Sequence, residues 1–175
     1  SLIDFGSGSI LGLIVISVFI QKKKLNPNEI LDALALPMIV FLLFFFFAQL
    51  ASGNLYGKPS SLPWSILLWG TNRHPLQIYY MLALLPIILL TIKRMVNYNR
   101  KGVLFFKTTS TLSLLFVFFD FFNGDPNNLI AGFNKIQIVA LFLLIVSNVF
   151  LLTRKKSYWN KNLIVSVDQI LQNII

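Results

Sequence analysis

Chemically versatile side chains gather in one stretch of this sequence, from Asn54 to Tyr80 (NLYGKPSSLPWSILLWGTNRHPLQIYY). The chain's one histidine, His74, follows Arg73, and Gln77 and Tyr79 come within the next turn. Tyr56, Gly57 and Lys58 stand near the start of the stretch. A guanidinium fork pairs with phosphate or carboxylate oxygens, and an imidazole exchanges a proton near neutral pH. Pro75 suits the first position of a helix, and a helix N-terminus favours an anion. Arg73 and His74 therefore read either as a lipid-phosphate site or as an anchor for the helix start, and spacing does not separate the two. Gln77 and Tyr79 read either as substrate contacts or as hydrogen bonds between helices. Gln77 lies four residues after Arg73, so one helical face can carry both. Tyr79 points elsewhere on a regular helix. Convergence of Arg73, His74, Gln77 and Tyr79 on one polar cavity thus requires an irregular first turn around Pro75. Trp64 and Trp69 read as membrane-interface anchors. Asp120 is either functional, as an ionisable group in an apolar span, or a solvated or capped carboxylate near its end. Asp125, in Gly-Asp-Pro, reads as a turn former. One histidine, six acidic residues and no cysteine leave too little for a metal site, and thiolate chemistry by the chain itself is excluded.

The elements that must position these residues are apolar spans. The chain has 175 residues, 56% hydrophobic and 12% charged, against ~25% charged in ordinary soluble domains. Mean hydropathy is +0.74. Such a composition specifies an all-α polytopic membrane bundle. About five transmembrane helices are expected, near residues 2–20, 30–50, 75–92, 103–122 and 136–152, with an interfacial or re-entrant segment near Trp64. The bundle then covers residues 1–156. Residues 157–175, with Leu163, Ile164, Val167, Ile170, Leu171 and Ile174 at helical spacing, read as a cytoplasmic amphipathic tail. The net charge of +9 does not point to nucleic acid. Eleven of the fifteen basic residues (22–24, 93, 94, 100, 101, 154–156 and 161) fall in loops of one side, which the positive-inside rule makes cytoplasmic. The other side carries Lys58, Arg73 and Lys135, and Lys107 can snorkel back from span four. The C-terminus is therefore expected inside and the Asn54–Tyr80 stretch outside.

At this stretch the sequence resembles the prolipoprotein diacylglyceryl transferases. The match rests on GNLYGKPSSLPW followed by RHPLQIYY. Residues 7–12 (SGSILG) resemble the family's His-Gly-Gly-Leu-Ile-Gly motif, and Phe121 to Pro126, with Leu129 and Gly132, resembles a loop that carries an essential arginine. The resemblance covers most of the chain, although the family is longer at the N-terminus, usually by two spans and an external arm. It implies a bacterial enzyme of the cytoplasmic membrane that moves the diacylglyceryl group of phosphatidylglycerol to a lipobox cysteine thiol in a prolipoprotein signal segment. No metal or organic cofactor is implied. By the same resemblance, Arg73, His74, Gln77, Tyr79, Tyr56, Gly57, Lys58 and Asp125 are the candidate substrate-binding residues. No catalytic residue is assigned. The departures are specific. The family's glycine-arginine pair falls on Phe45-Phe46, two asparagines on Gln49 and Ser52, and a glutamate on Asn54. The motif histidine falls on Ser7, the glutamate after RHP-x-Q-x-Y on Tyr80, and the loop arginine on Asn123. Three readings follow: a divergent active transferase, an impaired homologue that still binds phospholipid or lipoprotein signal segments, and a membrane scaffold subunit. A scaffold is expected to have a filled interior with no lipid-sized cavity.

Overall fold

A computed structural model describes residues 12, 14–96, 101–124, 129–130 and 133–172, with side chains of 129–130 and 155–172 excepted. The described chain is mostly helical. Residues 14–22 form α1. It is followed by α2 (Pro27–Ser52), the hairpin strands β1 (Ile66–Leu68) and β2 (Thr71–Arg73), α3 (Leu76–Val96) and α4 (Val103–Asp120). Two short strands, β3 (Leu129–Ile130) and β4 (Phe133–Asn134), precede α5 (Lys135–Gln172). Four helices, α2, α3, α4 and the Lys135–Arg154 part of α5, are long and apolar enough to cross a membrane. Their limits lie within a few residues of the hydropathy reading. The first expected span, 2–20, lies mostly outside the described residues.

Each boundary has a local cause. Asn26 accepts a hydrogen bond from the Asn28 N–H and Pro27 follows at the first helical position, so α2 starts there. Gly53 ends it in the left-handed conformation (φ 68°), donating its N–H back to Gln49 and Leu50 carbonyls. Helix α4 starts after Gly102 (φ 87°) with no side-chain cap of its own. Asp32 of α2 supplies the cap instead, accepting from Gly102 N–H at 2.5 Å and Phe105 N–H at 2.9 Å. A carboxylate at that end also complements the helix dipole. Beside it, Lys101 pairs with Glu29. Helix α5 runs without a break for 38 residues, about 57 Å at ~1.5 Å per residue, so the tail is helical in continuity with the last span.

The helices alternate in direction. One end of the bundle gathers the basic residues Lys93, Arg94, Lys101 and Arg154, and the other carries the hairpin. Between α2, α3 and α4 lies a core of Ile39, Phe46, Leu76, Tyr80, Leu84, Ile87 and Leu112. Outside it the surface is apolar: Phe41, Phe44, Leu89 and Ile145 are each more than 60% exposed. Exposure of that kind along whole helices matches a lipid solvent rather than water.

Candidate functional site

The region expected to be an interfacial or re-entrant segment is an irregular little sheet closing one end of the bundle. Strands β1 and β2 pair antiparallel, with Ile66 opposite Arg73 and Leu68 opposite Thr71. Gly70 (φ 75°) makes the turn. A third segment, residues 56–60, runs between β2 and the end of α4. The Gly57 N–H donates to the His74 carbonyl at 3.1 Å, and the His74 N–H donates to the Lys58 carbonyl at 3.1 Å. On the other side, Lys58 N–H donates to Phe122 O at 2.8 Å and Gly124 N–H to Tyr56 O at 3.0 Å. This packing requires glycine twice. A Cβ on Gly57 would stand 2.5 Å from His74 Cβ and 2.7 Å from His74 O. One on Gly124 would stand 2.5 Å from Gly57 O and 2.7 Å from Gly57 C. The LYG segment and Asn123-Gly124, far apart in sequence, thus meet backbone to backbone.

This ladder fixes the candidate side chains. The His74 Nδ1 lies 3.2 Å from the Tyr79 hydroxyl, and that hydroxyl accepts a hydrogen bond from Trp64 Nε1–H at 2.9 Å. The His74 ring also meets Phe122 edge-on, with centroids 5.4 Å apart. Arg73 turns to a different partner. Its guanidinium lies over the Tyr56 ring, 4.7 Å from the centroid, and its Nη1 donates to Gly57 O at 3.4 Å. The Arg73 Nε is buried without a partner among the described residues. Gln77 is fully buried, and its Nε2 donates to the Asn54 carbonyl at 2.5 Å while its Oε1 has no described partner. Lys58 takes part through its backbone; its side chain is exposed. Asp125 lies outside the described residues.

The expected four-residue cluster therefore resolves into three contacts. His74 and Tyr79 are brought together, Arg73 pairs with Tyr56, and Gln77 ties the start of α3 to the segment after α2. The irregular element needed before α3 is β2 itself, which carries Arg73, with His74 and Pro75 joining it to the helix. Adjacent residues of an extended segment project to opposite sides, and that alternation separates Arg73 from His74.

Two features escaped the motif reading. Trp64, read as an anchor, has a protein partner in Tyr79. The second is aromatic. Phe46 and Tyr80 stack face to face, with centroids 4.3 Å apart and planes 3° off parallel. Phe116 packs against both rings, at 5.8 Å and 5.1 Å. These are two of the positions at which the family resemblance places an arginine and a glutamate, and no sequence signal joins them without a helix register. Asp120 is buried, 2% exposed, and its Oδ1 accepts from Asn123 Nδ2 at 2.9 Å. Its carbonyl faces Asn134 Nδ2 at 3.5 Å, and Asn134 N–H donates to Gln137 Oε1 at 3.0 Å. The carboxylate is thus held by Asn123 at the end of α4, with Oδ2 unpartnered among the described residues, while the backbone carbonyl reaches toward the start of α5.

Comparison with known proteins returns one family. A model described as prolipoprotein diacylglyceryl transferase matches residues 5–153. The phosphatidylglycerol–prolipoprotein diacylglyceryl transferase of Geobacter sulfurreducens is 28% identical over 159 residues, which are 85% of this chain and 61% of that protein. The protein of the same name from Campylobacter jejuni is 33% identical over 73 residues, 41% of this chain and 27% of the relative. That of Polynucleobacter necessarius is 32% identical over 80 residues, 43% of this chain and 30% of its own length. The chain spans less than two thirds of the length of each of these relatives. The matched region holds the hairpin, both glycine crossings and the four long apolar helices, so the match follows the architecture as well as the motifs. The chain belongs to the prolipoprotein diacylglyceryl transferase family.

Proposed function

We propose that this protein binds the phosphate-bearing headgroup of phosphatidylglycerol at the hairpin end of the bundle, and that it transfers diacylglyceryl groups to lipobox thiols slowly or not at all. The observation that carries this reading is the Phe46–Tyr80 stack. Where the family resemblance puts a cation and a carboxylate, two rings fill the space, and neither brings charge to a leaving phosphate or a base to a thiol. Loss of one preorganised donor to developing charge costs about 3 kcal/mol, roughly a hundred- to a thousandfold in rate. Further losses at Asn123 act on the same charge and do not simply add. Arg73, held over Tyr56 and hydrogen-bonded to Gly57 O, supports phosphate binding without catalysis.

An apolar cavity of about 520 Å³ between α2, α4 and α5 favours lipid binding over a scaffold role. It lies in the size range of small-molecule sites, and Lys135 stands among its lining residues. The test is labelled transfer by purified protein given phosphatidylglycerol vesicles and a lipobox peptide. The expected result is phosphatidylglycerol binding that Arg73→Ala weakens, with transfer at least about a hundredfold below that of a family member bearing the arginines. Robust transfer by the unmodified chain, abolished by Arg73→Ala, overturns the impaired reading.

The same reading places the protein in the bacterial cytoplasmic membrane, hairpin outside and C-terminus inside, from the loop charges. The cysteine-free background makes this directly testable. A cysteine at Ser60 should react with an impermeant maleimide on intact cells and one at Lys23 should not; the reverse pattern refutes the orientation.

A further inference from the structure

The Tyr79 hydroxyl has one proton, and its two hydrogen-bonded neighbours are Trp64 Nε1 and His74 Nδ1. Indole N–H is a donor only, so at that contact the hydroxyl accepts. Among the described residues it has no further partner. Its own proton then has one acceptor in reach among those residues, the lone pair of His74 Nδ1; a hydroxyl that accepted from both rings would leave that proton to solvent. A neutral imidazole whose Nδ1 accepts must carry its proton on Nε2. The order of donors that satisfies each of these protons within the described residues is Trp64 Nε1–H to Tyr79 Oη, then Tyr79 O–H to His74 Nδ1, with Nε2–H left without a described partner.

The backbone leaves the ring little freedom to escape this arrangement. His74 N–H and C=O are both engaged with the 57–58 segment, and Phe122 packs edge-on against the ring. Tyr79 is fixed by helix α3, one turn past Pro75, and its ring packs beside Phe119 at 6.0 Å.

We propose that Trp64 and Tyr79 are positioning residues that lock His74 in the Nε2–H tautomer, making it a hydrogen-bond donor to a phosphate oxygen rather than a base for the thiol. The phosphate half of this inference rests on the function proposed above; the tautomer half does not. With Nδ1 occupied and Nε2 protonated, the neutral ring has no free lone pair to take a thiol proton. It has an N–H of the kind that phosphate oxygens accept. Trp64 acts on the ligand only through Tyr79, and its membrane-interface position is a separate role.

The chain has a single histidine, so nitrogen-15 histidine labelling of the full chain gives one ring spectrum. The measurement is made in phosphate-free maltoside micelles at about pH 9, where an unperturbed imidazole is neutral. The expected spectrum has Nε2 protonated and Nδ1 unprotonated, with Nδ1 displaced toward the hydrogen-bonded position. Tyr79→Phe should return Nδ1 to its free position, and Trp64→Phe should move it part of the way. The Nε2–H form is common in free histidine, so the Nδ1 displacement and its loss in Tyr79→Phe decide the matter. A protonated Nδ1 in the unmodified protein overturns the proposal, and that measurement needs no variant to fold. So does an Nδ1 signal indifferent to Tyr79→Phe. Phosphatidylglycerol added to the micelles should shift the Nε2–H proton signal. Inorganic phosphate in a parallel sample distinguishes a lipid headgroup, which moves the signal alone, from a soluble anion, which moves it too. No response to either, with the Nδ1 pattern intact, overturns the donor role while the relay stands; phosphatidylglycerol binding measured separately, and its sensitivity to Arg73→Ala, then decides whether the headgroup reading falls as well.

Discussion

Tyr79 and Tyr80 are consecutive residues at the start of one helix, and the molecule uses them in opposite ways. Tyr79 turns its hydroxyl to Trp64 and His74, in the ladder that closes the bundle. Tyr80 turns its ring to Phe46 and Phe116, in the core between α2, α3 and α4. About 100° of helical rotation separates a hydrogen-bonding tyrosine from a packing one. The hairpin end keeps a polar pattern of backbone and side-chain hydrogen bonds, with Arg73 Nε and Gln77 Oε1 left unpartnered among the described residues. The core beside it is aromatic. Rings in the core where the family resemblance places charge, beside an intact ladder, are what the proposed function rests on, since stacked rings support a fold and cannot stabilise developing charge.

The contrast can be broken most strongly in the core. Phe46→Ala removes a fully buried ring from a stack with two partners, and the expected loss is about 3–5 kcal/mol, read as a lowered unfolding midpoint in detergent. An effect below 1 kcal/mol would mean that the stack is incidental and the space adaptable. Next comes the backbone crossing at the hairpin end. Gly124→Ala places a Cβ against Gly57 backbone, and overpacking of that kind costs about 1–3 kcal/mol. In a Trp69→Phe, Trp159→Phe background, Trp64 fluorescence should report the opening of the ladder before the helices unfold, while Phe46→Ala should lower both together.

The two tyrosines then sharpen the comparison directly. Tyr79→Phe deletes two hydrogen bonds and leaves Nδ1 and the indole N–H unpaired, for an expected loss of about 1–2 kcal/mol. Tyr80→Phe keeps the ring and its stacking, and the hydroxyl has no hydrogen bond to a described residue, so the expected change stays within about 0.5 kcal/mol. Equal losses for the two would erase the distinction drawn here. A modest effect lies at the opposite end of the bundle. Asp32→Ala leaves two N–H groups of α4 without their acceptor, at a cost of about 1 kcal/mol typical of a helix cap. Asp32→Asn should recover only part of it, because the two N–H groups use the two carboxylate oxygens and an amide offers one acceptor. The neighbouring Lys101–Glu29 pair is exposed on both sides, and Lys101→Ala should change the midpoint by less than about 1 kcal/mol.

Much of this molecule was written in its sequence. Apolar runs of bilayer length, bounded by basic clusters, determined four long helices to within a few residues. Asn26-Pro27 and Gly53 marked the ends of α2 through capping chemistry that is local. The RHP-x-Q-x-Y and LYG motifs located the polar end. What the sequence left open was direction. In FLLFFFF the period of burial is invisible, because lipid and protein interior are equally apolar and no amphipathic face is needed. Phe46 is 1% exposed while Phe45 and Phe47 are 43% and 58% exposed, and only packing against Tyr80 selects it. Strands of two or three residues carry no periodicity long enough to read, and the contact between the Gly57 and Gly124 backbones joins segments remote in sequence. Trp64 looks the same in sequence whether it meets lipid headgroups or a hydroxyl fifteen residues away. Local chemistry sets where an element starts and stops. Partners remote in sequence decide which way each side chain faces, and here the facing separates a ring that fills space from a hydroxyl that aims a histidine.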